Sequence, residues 1–147
     1  MSEQIAAYLE RRGLSSVETD GVYVVPYGMP DEPPELIVMI WSGERAVDGV
    51  MVEMHAQPGV EDVEVATVLE RCNEWNTASR TTKARLDVDA NRVVLEAWMP
   101  WTPDLPDEVL ERFLDHAITD MVLGWPTAGA DLLVGTDASD HPGNPAP

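Results

Sequence analysis

Cys72-Asn73-Glu74-Trp75-Asn76, followed by Arg80 and then Lys83-Ala84-Arg85-Leu86-Asp87, is the stretch on which the fold turns. It reads as the end of an amphipathic helix, a polar corner, and the first strand of a hairpin returning through Val93-Val94-Leu95-Glu96-Ala97. Upstream, the period is helical from Val60 to about Ala78. Val65, Val68, Leu69, Cys72, Trp75 and Asn76 share one stripe, and Glu61, Asp62 and Glu64 fall in a first turn favoured by the helix dipole. Downstream, Ala84, Leu86 and Val88 face one way, and Arg85, Asp87 and Asp89 the other. Ala90-Asn91 turns the chain into a strand from Arg92 to Met99, and Trp98-Met99-Pro100-Trp101 closes the hairpin.

Working outward, Glu3 to Arg12 predicts a short helix with Ser2 as N-cap, Ile5, Tyr8 and Leu9 on one face, and Gly13 as its stop. Val22 to Tyr27 is a strand after an Asp20-Gly21 turn, with Val17 to Thr19 as its hairpin partner. Pro26 places the end of that strand at an edge, and Gly28 to Pro34 is an exposed loop. Leu36-Ile37-Val38-Met39-Ile40-Trp41 is apolar throughout, the pattern of a central strand covered on both faces. Ser42-Gly43-Glu44-Arg45 turns the chain, and Ala46 to His55 returns as a strand ended by Pro58-Gly59. A last helix is expected from about Leu105 to Leu123, with Asp104 as cap, Pro106 in the first turn and Gly124 at the stop. Leu132-Leu133-Val134 reads as a short extra helix. The expected organisation is one domain over residues 1–135 and a Pro/Gly-rich acidic tail, without order, over 136–147.

The order α-β-β-β-β-α-β-β-α predicts an α+β fold, a single antiparallel sheet with about three helices packed on it. The chain has 147 residues, enough to bury roughly 70% of its unfolded surface. Twenty-seven acidic residues against nine basic ones give a formal charge of -18. That balance argues against nucleic acid or an anionic membrane as partner. Cys72 stands alone, so no internal disulfide is expected, and neither a zinc motif nor any other metal or cofactor site is legible. Met1-Ser2-Glu3-Gln4 lacks the features of a signal peptide, and Leu36 to Trp41 is too short to span a bilayer. A cytoplasmic protein is expected.

The helix end Leu69 to Asn76, with Asn73, Trp75 and Asn76, carries a family resemblance. So do the Lys83 to Asp87 and Val93 to Met99 strands and the final helix bearing Phe113. Over about Ile5 to Leu123 the sequence resembles the YbjN family, described as bacterial sensory transduction regulators and similar in fold to type III secretion chaperones. The resemblance implies a chaperone-like or regulatory protein that self-associates. It supplies no catalytic residues.

Several residues merit a role. Asn73 and Asn76, one turn apart at the helix end beside Trp75, suit a structural corner bonding to backbone, or a ligand site. Arg71, Arg80, Lys83 and Arg85 either pair with the chain's own carboxylates or form the rim of a docking patch. Trp41, Trp98 and Trp101, with Met39, Met51, Met54 and Met99, read as core or as an adaptable protein-binding surface. Trp98 and Met51 fall out of phase with the apolar faces of their strands. His55, His116 and His141 are isolated. No nucleophile–base pair, phosphate loop or metal constellation is present, so an enzyme is not expected. The expected function is a homodimeric, chaperone-like protein-binding module, a regulator of signal transduction, that holds an apolar segment of a partner protein through Trp41, Met51, Trp98 and Trp101, with Arg80 and Lys83 on the rim. The alternative is a small-molecule sensor with a pocket between helix and sheet.

Overall fold

A computed structural model describes residues 1–27, 36–43, 49–56, 60, 63–102 and 104–125. Six strands form one sheet: β1 (Val17–Thr19), β2 (Val22–Tyr27), β3 (Leu36–Gly43), β4 (Gly49–Ala56), β5 (Lys83–Asp87) and β6 (Arg92–Pro100). Every pairing is antiparallel, and the spatial order is β1-β2-β3-β4-β6-β5. Three helices, α1 (Ser2–Arg11), α2 (Val65–Ala78) and α3 (Asp107–Thr119), complete the α+β fold expected from the element order.

Register decides which side chains meet the helices. Tyr23, Ile40, Val52 and Ala97 align across four strands, as do Val25, Val38, Met54, Leu95 and Ala84 across five. These residues form one buried core with Ile5, Tyr8 and Leu9 of α1, Val68, Cys72 and Trp75 of α2, and Leu110, Leu114, Ala117 and Ile118 of α3. All three helices therefore cover one face. Burial also pushes the Cys72 thiol pKa up, which keeps it protonated and unreactive. Side chains at alternate positions must point to the other face. There Ile37, Met39 and Trp41 are only half-buried, so the apolar β3 run is helix-covered on one side and not on both.

The Asp20-Gly21 turn has both residues at positive φ, 52° and 78°, the conformation that closes a two-residue hairpin. At the other hairpin, Asn91 adopts φ 49° and Asp87 Oδ1 accepts the Ala90 N–H at 3.2 Å.

Several expected boundaries shift for local reasons. Met1, not Ser2, precedes α1. Tyr23 donates its only hydroxyl proton to the Ser2 carbonyl at 2.9 Å, so the Ser2 hydroxyl donates to Tyr23 Oη at 2.7 Å and caps nothing. Helix α2 begins at Val65 rather than near Val60, because the Val60 N–H is bonded to the Asn91 carbonyl at 2.9 Å. Glu64 is consequently the N-cap and lies outside the first turn, and Val65 and Leu69 face outward, 55% and 46% exposed. Helix α3 starts at Asp107 after an extended Pro106, then continues as a π-helical turn over Asp120–Gly124. Gly124 does not stop it. A Cβ there would lie 2.9 Å from the Trp75 ring, so glycine admits Trp75, which meets Trp125 edge-on at 5.6 Å.

The loop Gly28 to Pro34, the turn residues Glu44-Arg45, the first part of the Ala46 strand, Pro58-Gly59, Glu61-Asp62, the Leu132-Leu133-Val134 segment, His141 and the tail 136–147 lie outside the described residues.

Candidate functional site

On the face opposite the helices, the register lays out three rows. Thr19, Val22, Trp41, Met51 and Trp98 align across five strands and carry no charge. The next row runs Val17, Val24, Met39, Glu53, Glu96 and Lys83, apolar on three strands and charged on three. The third runs Pro26, Ile37, His55, Val94 and Arg85. Trp98 is 53% exposed and Val17 65%, whereas Met39, Trp41 and Met51 are half-buried. The result is an apolar surface over β1 to β4 and the end of β6, bordered by charge toward β5.

Gly49, across from Pro100, makes room for the Trp98 indole. A Cβ on Gly49 would stand 2.5 Å from Trp98 Nε1 and 2.6 Å from the Met99 carbonyl oxygen. The indole thus lies over the backbone of β4 with its other side toward solvent.

The charged border is internally matched. Glu53 and Glu96 are direct cross-strand partners, an unfavourable pairing alone. Arg85 bridges them, donating from Nη2 to Glu53 Oε1 at 3.3 Å and from Nε to Glu96 Oε2 at 3.2 Å. Arg92 Nη1 lies 3.4 Å from His55 Nδ1. A guanidinium only donates, so neutral His55 keeps its proton on Nε2, 3.8 Å from Glu53 Oε2. That separation is too long for a direct hydrogen bond. His55 foremost, then Arg85 and the Trp41 indole, hold the Glu53 carboxyl below the usual glutamate range against the opposing effect of burial.

The corner after α2 is a separate polar structure. Asn76 uses its whole amide on the outer side of β5, the last strand of the sheet among the described residues. Its Oδ1 accepts the Ala84 N–H at 2.7 Å and its Nδ2 donates to the Ala84 carbonyl at 2.9 Å. Trp75 Nε1 donates to Thr82 Oγ1 at 3.1 Å, and Thr82 and Ser79 both donate to Asp120 Oδ2, at 2.8 and 2.6 Å. Asn73 has an exposed side chain, and its carbonyl accepts the Thr77 hydroxyl at 2.9 Å. Thr82, fully buried, and Asp120 were not among the residues singled out by sequence, because their partners lie seven and 38 positions away.

Trp41, Met51 and Trp98 are thus brought together in one row, and Trp101 is not. It packs with Met99 against the helix-side core, since one residue along a strand reverses the face. Lys83 lies at the β5 edge with its ammonium on the Asn76 and Ser79 carbonyls, at 2.9 and 3.1 Å. It thereby satisfies the end of α2. Arg80 is exposed, Arg71 pairs with Glu74 at 2.8 Å, and His116 is exposed on α3. Among the described residues no three His, Cys, Asp or Glu side chains are grouped to hold a metal ion. Nor is any described helix long and apolar enough to cross a membrane.

A single antiparallel sheet carries the described helices on one side and, on the other, an apolar row from which Trp98 reaches solvent. The chain belongs to the YbjN family, whose model, described as "Putative bacterial sensory transduction regulator", matches residues 2–122. No curated protein sequence matches it. Among solved structures, YbjN from E. coli, described as "a putative transcription regulator", superposes with a TM-score of 0.65 at 18% identity, covering 88% of this chain and 91% of that one. The ExsC–ExsE complex gives 0.56 at 17% identity, over 84% and 89%. The HopA1–SchA chaperone–effector complex gives 0.53 at 11% identity, over 84% and 90%. At these identities the likeness is one of fold.

Proposed function

We propose that the chain is a non-enzymatic, chaperone-like module that holds an apolar segment of a partner protein against its open sheet face. The observation that carries this reading is the uncharged row Thr19, Val22, Trp41, Met51 and Trp98, with Trp98 half exposed on the side no described helix covers. An exposed indole beside flexible methionines supplies large contact area and adapts to different side chains. Family membership and the chaperone–effector structure of similar fold support the same role, and the family description supports a place in signal regulation. Arg80 stays exposed at the corner after α2, and Lys83 serves the end of that helix. A cytoplasmic setting fits the acidic charge, which disfavours nucleic acid and anionic membrane.

The working form in this reading is a homodimer. The outward Val65 and Leu69 of α2 give it a second apolar surface, separate from the open face. Light scattering should show a dimer that Leu69→Glu dissociates; a monomeric wild-type mass removes the dimer from the account.

A photo-reactive residue at position 98 tests the docking face. Illumination should join it to a discrete partner polypeptide, and the same probe at Val88, exposed on the β5–β6 turn, should not. Equal labelling from both positions would count against the open face. No observation favours the sensor alternative: among the described residues a half-open cleft of about 150 Å³ lies between α1 and α3 near Gln4 and Leu110, not between helix and sheet.

A further inference from the structure

Building on that docking reading, we infer that the segment held on the open face is cationic, an extended stretch alternating apolar residues with Lys or Arg. The chain carries 27 acidic residues against nine basic ones. Most described cations are already engaged within the molecule. Arg11 and Arg12 hold Glu111 and Asp115 between α1 and α3, and Arg71 holds Glu74. On the open face itself, Lys83, Arg85 and Arg92 all lie toward β5, bound to the end of α2, to Glu53 and Glu96, and to His55. The row from Thr19 to Trp98 contains no cation to repel a basic ligand.

The charge of -18 on the chain as a whole sets a field that attracts cations and repels anions, and the row itself adds no charge to oppose it. An extended segment presents alternate side chains to opposite sides. Its apolar half can meet Trp98, Met51 and Trp41 while its cationic half faces outward into that field.

Three short labelled peptides of equal length test the inference, alternating leucine with lysine, with glutamine or with glutamate. Binding to the full chain is read by fluorescence anisotropy at low and high salt. The lysine peptide should bind about tenfold or more tighter than the glutamine peptide, and the glutamate peptide weakest of all. The lysine advantage should shrink as salt rises. Trp98→Ala and, as a second variant, Met51→Ser should weaken both the lysine and glutamine peptides. Equal binding of the three peptides overturns the cationic assignment and leaves the docking reading standing. Lysine-peptide binding unchanged in both variants places that peptide elsewhere on the acidic surface and also overturns the assignment. Binding of none of the three overturns the docking reading itself.

Discussion

At Glu53 the register creates a conflict that Arg85 resolves. Two carboxylates, Glu53 and Glu96, are paired directly across strands, and Glu53 is only 9% exposed. Removing the guanidinium leaves Glu53 facing a like charge with its oxygens poorly solvated. Arg85→Met should therefore lower stability by about 1–3 kcal/mol in denaturant unfolding. The pH dependence follows from the depressed Glu53 pKa. Because the unfolded state binds its proton first, the contribution is complete above the ordinary glutamate range and is lost as pH falls through the lower folded value. Stability measured across the acid range should fall less steeply in Glu53→Gln than in the parent. Gly49 poses a different question at the same scale, since any Cβ meets both the Trp98 indole and the Met99 carbonyl. Gly49→Ala should displace the indole, shift tryptophan emission and weaken partner binding; an unchanged spectrum and affinity would show that Trp98 does not depend on that space. None of these contacts is legible along the chain, because each joins residues that only strand register brings together.

At the scale of elements, the corner between α2 and β5 shows how a helix end can substitute for a missing strand. Asn76 gives Ala84 both bonds that a neighbouring strand would give it. Asn76→Asp keeps the acceptor but sets a carboxylate against the Ala84 carbonyl, and a loss of about 1–3 kcal/mol is expected on thermal unfolding. An unchanged melting temperature would remove the corner's structural role. Sequence made this corner visible because Asn73, Trp75 and Asn76 sit where helical periodicity gives way to alternation. It located β1, β2 and the Asp20-Gly21 turn for the same reason: both signals are local. The start of α2 and the end of α3 were less legible. Val60 bonds to Asn91, 31 positions on, and Gly124 reads as a stop although its small size serves the Trp75 ring. Gly124→Ala should destabilise the chain by about 1–3 kcal/mol through overpacking against that ring.

For the whole molecule, the decisive feature is that all three helices occupy one side of the sheet. The out-of-phase positions of Trp98 and Met51 already signalled a second apolar face, since strict alternation would have placed polar residues there. What alternation could not reveal was that Trp41 joins them while Trp101 turns to the core, because that needs the order and register of five strands. Nor does the uniformly apolar β3 indicate how much cover its second face receives.

The central claim, that this face holds a partner protein, is tested most directly by comparing capture by the parent chain with that by a Met51→Lys, Trp98→Lys variant. Cross-linking should be followed by mass spectrometry, with circular dichroism confirming that both chains are folded. The predicted result is a discrete partner held by the parent and lost from the folded variant. Retention of the same partner, at the same yield, by the folded variant would contradict the account.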